Sequence, residues 1–225
     1  RFLGIMQAQA ERMSRLIDDL MSLSRIELNE HVPPDNEVDL AMAVMDVVDA
    51  ATPMAKARGV TLDLHLVPKG AACIAGDRDQ IVQVVQNLVD NALKYSPAGS
   101  AIHIGLETGL TAAQAAAGRR TDAARLSLLT PDHTAETYAV LRVTDEGAGM
   151  ARQHLPRLTE RFYRIEGQKS GDKEGTGLGL AIVKHIANRH RGGLVVESAE
   201  GRGATFTAYF PIRGAAARDA VAKLS

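Results

Sequence analysis

The chain has 225 residues, with 26 Lys and Arg against 27 Asp and Glu and a formal net charge of -1. That length allows one substantial domain with an appendage, or two small ones, and the balanced charge gives no electrostatic argument for nucleic acid or a membrane surface as a partner. The single cysteine, Cys73, excludes a disulfide framework and a cysteine-based zinc site; with no secretory leader and no long apolar run, this piece reads as soluble.

The sequence begins at Arg1, inside a helical pattern, so a fragment of a longer protein is expected. Residues 1–30 should form one helix. Met6, Ala10, Met13, Ile17 and Leu20 alternate steps of four and three, an a/d seam that Leu16 and Leu23 widen. Gln9, Glu11, Arg15, Asp18 and Asp19 form the opposite face. One amphipathic helix cannot bury such a seam alone. A helical bundle is therefore expected, completed by a missing N-terminal part or a second chain, in preference to packing on its own globular domain. Val32-Pro33-Pro34-Asp35-Asn36 then breaks the chain, and 31–37 read as a linker.

From residue 38 to 213 the pattern is mixed α/β. Residues 40–57 predict a helix with Pro53 as a kink or interruption, ending near Gly59; 60–66 and 71–75 predict strands. Residues 77–96 predict a helix, with Asp77 and Gln80 spaced as in a capping box. Its apolar face is Ile81, Val84, Val85, Leu88 and Ala92. A strand is expected over 101–106. Residues 109–137 lack clear periodicity and read as a long mobile insertion, helical around 112–117. Strands are expected over 138–145, 194–198 and 204–210, a helix over 181–190, and an Ala-rich tail over 214–225.

Three stretches carry candidate chemistry. Asn87, Asn91 and Lys94 lie at i, i+4 and i+7, on one stripe of their helix. A carboxamide oxygen is a hard, neutral ligand for Mg²⁺, and a lysine meets phosphate as a point charge. The stripe suits a metal-bound polyphosphate, or is an ordinary solvated face. Asp145-Glu146-Gly147-Ala148-Gly149 follows a strand directly. A carboxylate there can accept a hydrogen bond from an exocyclic amine, and the glycines let a flat ring approach the backbone. A plain β-turn uses the same residues. Gly175-Thr176-Gly177-Leu178-Gly179-Leu180 opens a helix whose free backbone N–H groups form an anion site. It is neither a Walker A loop nor a dinucleotide fingerprint; a flexible loop is the alternative. Between the last two lies Glu160-Arg161-Phe162-Tyr163-Arg164, followed by polar residues 165–174. This reads as a lid, with Phe162 and Tyr163 anchoring its near end and Arg164 reaching a terminal phosphate, or as a surface loop.

Taken in order, Asn-x-x-x-Asn, Asp-x-Gly-x-Gly, the Arg-Phe-Tyr-Arg segment, Gly-Thr-Gly-Leu-Gly-Leu and Gly201-Arg202-Gly203-Ala204-Thr205-Phe206 resemble the ATP-binding catalytic domain of sensor histidine kinases. These belong to the wider group with gyrase, MutL and the heat-shock ATPases, often called GHKL. The resemblance covers about residues 38–212. Residues 1–30 look like the second helix of the dimerisation and histidine-phosphotransfer hairpin. Within the family, the phosphate-regulon sensors of PhoR type are the look-alike.

The resemblance implies a Bergerat-type α/β sandwich, a mixed sheet covered on one face by helices, that binds ATP with Mg²⁺. It makes Asn91 the Mg²⁺ ligand, with Asn87 beside the metal and phosphates. It puts Lys94 near phosphate and Tyr95 near the nucleotide. It gives Asp145 the adenine amine, with Gly147 and Gly149 shaping that pocket and Thr205 near the base. Arg164 would contact the γ-phosphate, with Arg161 as a further candidate. Gly175, Thr176, Gly177, Leu178 and Gly179 would lie along the phosphates. It also implies a homodimer through the hairpin and a response regulator as partner. The site of action would be cytoplasmic, and the whole protein would sit at the bacterial inner membrane through its missing N-terminal part.

Hydrolytic relatives in the wider group have Glu where this chain has Asn87. Asn cannot take a proton from attacking water, so slow hydrolysis and transfer to an imidazole are expected. None of His31, His65, His103, His133, His154, His185 and His190 has the sequence context of the family's phosphoacceptor. All seven are read as structural or surface, with the acceptor on a hairpin helix missing from this chain. A regulatory ATP-binding module and a hydrolytic ATPase are the alternatives.

Overall fold

The structure, a computed structural model, describes residues 2–29, 31–132, 135, 137–165 and 175–213. Most of the expected lid, the 214–225 tail and His133 lie outside these.

Helix α1 (Phe2–Leu28) opens the chain. A short strand, β1 (Asn36–Asp39), pairs antiparallel with β3 (Cys73–Gly76); the linker expected over 31–37 thus gives way to a strand at Asn36. Asp39 then caps α2 (Leu40–Arg58), accepting from Ala41 N at 3.0 Å and Gly70 N at 2.8 Å. Pro53 lies inside α2 without ending it, and Gly59 closes the helix at φ 66°. Strand β2 (Thr61–His65) follows. Asp77 caps α3 (Arg78–Tyr95), accepting from Asp79 N at 3.1 Å and Gln80 N at 3.3 Å. The apolar face predicted for α3 is buried, together with Val89 and Leu93.

The main sheet has the order β2-β4-β6-β8-β7-β5, with β4 (Ala101–Leu110), β5 (Ala124–Leu129), β6 (Tyr138–Thr144), β7 (Gly193–Ser198) and β8 (Ala204–Pro211). Only β2 and β4 run parallel. Strand alternation gives the sheet two faces. Ala139, Leu141 and Val143 of β6, with Phe206, Ala208 and Phe210 of β8, share one core with α2, α3 and α5 (Gly179–Arg189). Tyr138, Val140, Val195 and Tyr209 turn the other way and pack with Ala115 of α4 (Ala112–Ala116). This is the α/β sandwich expected, helices on one face, with a small cover added on the other.

That cover corrects the sequence reading of 109–137. The helix near 112 is present, but the segment is built into the sheet through β5, paired antiparallel with β7. The Glu197 carboxylate, 1 % exposed, accepts from Arg119 N at 2.9 Å and Arg120 N at 3.0 Å and pins the turn before β5. Arg120 donates onward to Arg202 O at 2.9 Å, in the β7–β8 turn. Backbone donors satisfied by a buried carboxylate are held, not mobile.

α1 is divided between the two outcomes weighed for it. Leu23 and Ile26 are buried in the main core and the helix packs on α5. Met6, Met13, Ile17 and Leu20 of the seam stay exposed. No helix among the described residues is long and apolar enough to cross a membrane.

His190 joins α5 to α3. Its Nδ1–H donates to Ile186 O at 2.8 Å, which leaves Nε2 to accept from Asp77 N at 3.0 Å. Burial lowers its pKa to about 4. The unfolded chain takes up this proton near 6.5 and the folded one near 4, so stability is lost as pH falls through that window. Between pH 7 and 5 this one group should cost about 2 kcal/mol. Urea unfolding at the two pH values should show a drop that shrinks by that amount in His190→Gln.

Candidate functional site

A cavity of about 470 Å³ opens between α3, the end of β6, the loop entering α5 and one side of α1. The α3 stripe forms one wall, since Asn87, Asn91 and Lys94 all border it. Lys94 Nζ lies 4.9 Å from the centre of the Tyr95 ring, and Tyr95 lines the cavity beside it. Leu93, Met150, Leu158 and Phe206 give the space an apolar side, the surface a flat ring needs.

Asp145 stands where β6 ends, 6 % exposed and bordering the cavity. Its Oδ1 accepts from Gly147 N at 2.8 Å and Ala204 N at 3.3 Å, which leaves Oδ2 for a ligand. Burial raises its pKa, against the two backbone donors that favour the charge. The glycines beside it allow close backbone crossings. A Cβ on Gly147 would come within 2.6 Å of Tyr95 O. Gly149, at φ 64°, leaves no room for one against the Ala199 carbonyl.

The glycine loop lies directly against the α3 stripe. A Cβ on Gly175 would meet Lys94 Nζ at 2.9 Å, and one on Gly179 would meet Asn87 Oδ1 at 3.0 Å. Gly177, at φ 76°, accepts at its carbonyl from Phe162 N at 2.9 Å. The anchor of the lid's near end is Tyr163, whose OH is 2.7 Å from His154 Nδ1 and whose ring lies under Arg157. The Phe162 side chain is 54 % exposed and anchors nothing; its backbone does the holding, at φ 63°. Arg164 and Thr176 line the cavity.

Four of the residues expected at the nucleotide do not border the cavity, and Gly147, packed against the Tyr95 carbonyl, is the first. Arg161 is paired with Glu27 of α1 and does not border the cavity. Leu178 is fully buried in the core and does not border the cavity. Thr205 follows the alternation of β8 onto the α4 face, where its hydroxyl lies 3.0 Å from that of Thr144. Its neighbours Ala204 and Phe206 are the ones on the cavity side.

The side chains that could serve a metal here are carboxamides, which suit a hard cation. Among the described residues no group of three His, Cys, Asp or Glu is placed to hold an ion. Asn87 Nδ2 is buried without a hydrogen-bond partner among them. Two neutral carboxamides beside a cavity suit Mg²⁺ that arrives already bound to phosphate oxygens.

Reading residue by residue missed the α1 contribution. Arg12, Arg15 and Asp19 border the cavity, and the Thr176 hydroxyl donates to Asp19 Oδ2 at 2.6 Å. The signal was the second stripe on α1, Arg12, Arg15, Asp19 and Ser22, spaced by three, four and three.

The family described as histidine kinase-, DNA gyrase B-, and HSP90-like ATPase matches residues 76–214. The phosphate regulon sensor protein PhoR of Pseudomonas aeruginosa is 33 % identical over 210 residues, 93 % of this chain and 41 % of the relative. The sensor-like histidine kinase SenX3 of Mycolicibacterium smegmatis is 32 % identical over 211 residues, 94 % of this chain and 48 % of the relative. The chain thus spans less than half of these relatives' length. Among solved structures, the Acinetobacter baumannii histidine kinase AdeS has a TM-score of 0.64 at 24 % identity, covering 95 % of this chain and 84 % of that one. Full-length ShkA in complex with AMPPNP has a TM-score of 0.69 at 20 % identity, covering 95 % and 39 %. At these identities the structures speak for the fold alone.

Proposed function

This chain belongs to the histidine kinase-, DNA gyrase B- and HSP90-like ATPases, and from that membership we propose that it is the catalytic ATP-binding part of a sensor histidine kinase. It takes the γ-phosphoryl of ATP to a histidine on a hairpin helix outside this sequence, for relay to a response regulator aspartate. The observation that carries the reading is the single cavity bordered by Asn87, Asn91, Lys94, Asp145, Arg164 and the glycine loop.

In this reading Asp145 Oδ2 accepts the adenine amine, and Gly147 and Gly149 let the surrounding backbone pack closely around that carboxylate and hold it in place. Lys94 and Arg164 meet the phosphates as fixed cations. Asn91 and Asn87 would hold Mg²⁺, which would supply charge neutralisation at the phosphate oxygens. The bond from the γ-phosphorus to the β–γ bridging oxygen breaks as a bond to the imidazole nitrogen forms. ADP leaves, and the imidazole proton goes to solvent. Such transfer needs positioning and charge neutralisation more than covalent help from the protein.

The division into a hairpin helix up to residue 30 and a catalytic domain from 38 to 213 belongs to the same proposal. So do a homodimer through the exposed seam of α1, a cytoplasmic site of action, and attachment of the whole protein to the bacterial inner membrane.

The test is to incubate this chain with γ-labelled ATP and Mg²⁺, with and without a hairpin carrying the acceptor histidine. Acid-labile label should appear on the hairpin alone. Nucleotide binding without transfer would leave a regulatory module instead. Asn87→Glu supplies a base where wild type has none. It should raise release of phosphate to water by about a hundredfold, the low side of what a placed general base contributes; unchanged turnover would remove the role given to Asn87.

A further inference from the structure

Besides its exposed seam and its buried pair, α1 presents a third face. Arg12, Arg15, Asp19 and Ser22 recur at steps of three and four, so they lie along one side of the helix. Two hydrogen bonds fix this side over the cavity. The Thr176 hydroxyl donates to Asp19 Oδ2 at 2.6 Å, and Ser22 Oγ donates to Gln83 Oε1 at 2.9 Å. Thr176 belongs to the glycine loop, and Gln83 lies on α3 one turn before Asn87. α1 is therefore clasped to both elements that flank the polyphosphate end of the cavity. Leu23 and Ile26, 1 % and 2 % exposed, anchor the helix just beyond the clasp.

The charges on this face matter for an anionic ligand. Arg12 and Arg15 border the same cavity as Asn87, Asn91, Lys94 and Arg164. Of the cations on the globular side, Arg58 is already committed, donating to Leu93 O at 2.7 Å. The α1 face adds two guanidinium groups and one carboxylate, and that carboxylate is occupied by Thr176. Arg15 Nε donates to Glu11 O at 3.2 Å, so its terminal nitrogens are the ones left for a ligand, and Asp90 of α3 borders the cavity too. With Asp19, Asp90 and Asp145 set against Arg12, Arg15, Arg58, Lys94 and Arg164 the lining stays positive, which favours phosphate.

We propose that Arg12 and Arg15 of α1 are part of the nucleotide site and meet the terminal phosphate of ATP, with Asp19 acting as the positioning residue that holds α1 on the glycine loop. The helix and the globular part then read the nucleotide together, and the helix contributes to the preference for ATP over ADP. This rests on the ATP reading above.

The experiment is calorimetric titration of the full chain with ATP and with ADP, each with Mg²⁺. The comparison is wild type against Arg12→Ala/Arg15→Ala. The double variant should lose about tenfold in ATP affinity and change by less than about twofold for ADP. Gln at both positions, which keeps length and removes charge, should do the same, and Lys at both should recover most of the loss. Parallel losses for the two nucleotides, or tighter ATP binding in the double variant, would overturn the assignment. So would an equal loss in Arg25→Ala, an exposed α1 arginine away from the cavity, because the effect would then be one of overall charge. If wild type bound neither nucleotide, the ATP reading itself would fall, a result distinct from intact binding that ignores both arginines.

Discussion

Asparagine at position 145 should remove most ATP binding and leave the fold standing. Asp145 Oδ1 is held by Gly147 N and Ala204 N, and an asparagine oxygen can keep both bonds. The change falls on the other atom. Oδ2 becomes an NH₂ group facing the donor it was meant to accept from. Losing a hydrogen bond to a charged acceptor, with two donors left facing each other, predicts a fall in affinity of roughly 10- to 100-fold.

Stability should move the other way. Burial raises the Asp145 pKa above the ordinary 3.8, so between that value and the raised one the folded state holds more protons than the unfolded. Stability contributed by this group therefore falls as pH rises through the window, and the ionised form is a cost at neutral pH. Asp145→Asn should unfold at the same temperature as wild type or higher. Calorimetric titration and thermal unfolding of the variant check both halves; retained ATP affinity would end the role proposed for Asp145. A site residue that costs stability for function is a familiar exchange. Acidification should also weaken ATP binding in wild type, at a higher pH than an exposed aspartate would titrate.

Gly149→Ala is expected to damage the fold and the site together. Gly149 sits at φ 64°, and a Cβ there would fall far inside contact with the Ala199 carbonyl oxygen and 3.0 Å from Gly203 O. Those are backbone atoms, so the strands must shift. Left-handed strain plus this overlap should cost about 3 kcal/mol or more. The segment that shifts carries Ala148 and Met150, both on the cavity wall, so nucleotide affinity should fall with it. Gly201 supplies the control. Its φ is 72°, yet nothing lies within 4 Å of its added Cβ, so Gly201→Ala should cost only about 1–2 kcal/mol of backbone strain. Urea denaturation of the two variants separates the terms. Equal losses would mean that the close approach at Gly149 contributes nothing.

Much of the site was legible because its signals are local. The Asp77 cap, the apolar face of α3 and the polar stripe at Asn87, Asn91 and Lys94 each follow from helical spacing within one segment; the Gln80 half of the expected capping box does not form, because Asp77 N donates to His190 Nε2 and Gln80 Oε1 has no partner among the described residues. Asp145 after a run of strand residues, and three alternating glycines before a helix, are likewise contained in a few consecutive positions. β5 was not legible. Ala124, Leu126 and Leu128 do alternate inward toward the core, but three small or aliphatic residues between polar flanks are too short a pattern to separate from loop. The strand exists because β7 offers a free edge and because Glu197, distant in sequence, satisfies Arg119 N and Arg120 N.

The sequence by itself thus determined most of the elements, the Asp39 and Asp77 positions where helices start, the family, and the polar stripe and glycine loop that border the cavity, since each depends on side chains within a few positions of one another. Only the tertiary structure decided which way those residues face. It turned Thr205 to the α4 side and Leu178 into the core. It drew Arg161 away to Glu27 and brought Arg12, Arg15 and Asp19 to the cavity. These outcomes depend on which strand lies beside which, and on where an amphipathic helix finds apolar surface to cover. Such contacts join residues far apart in the chain, from 61 positions for Thr144 and Thr205 to 157 for Asp19 and Thr176, and periodicity within a segment carries no information about them.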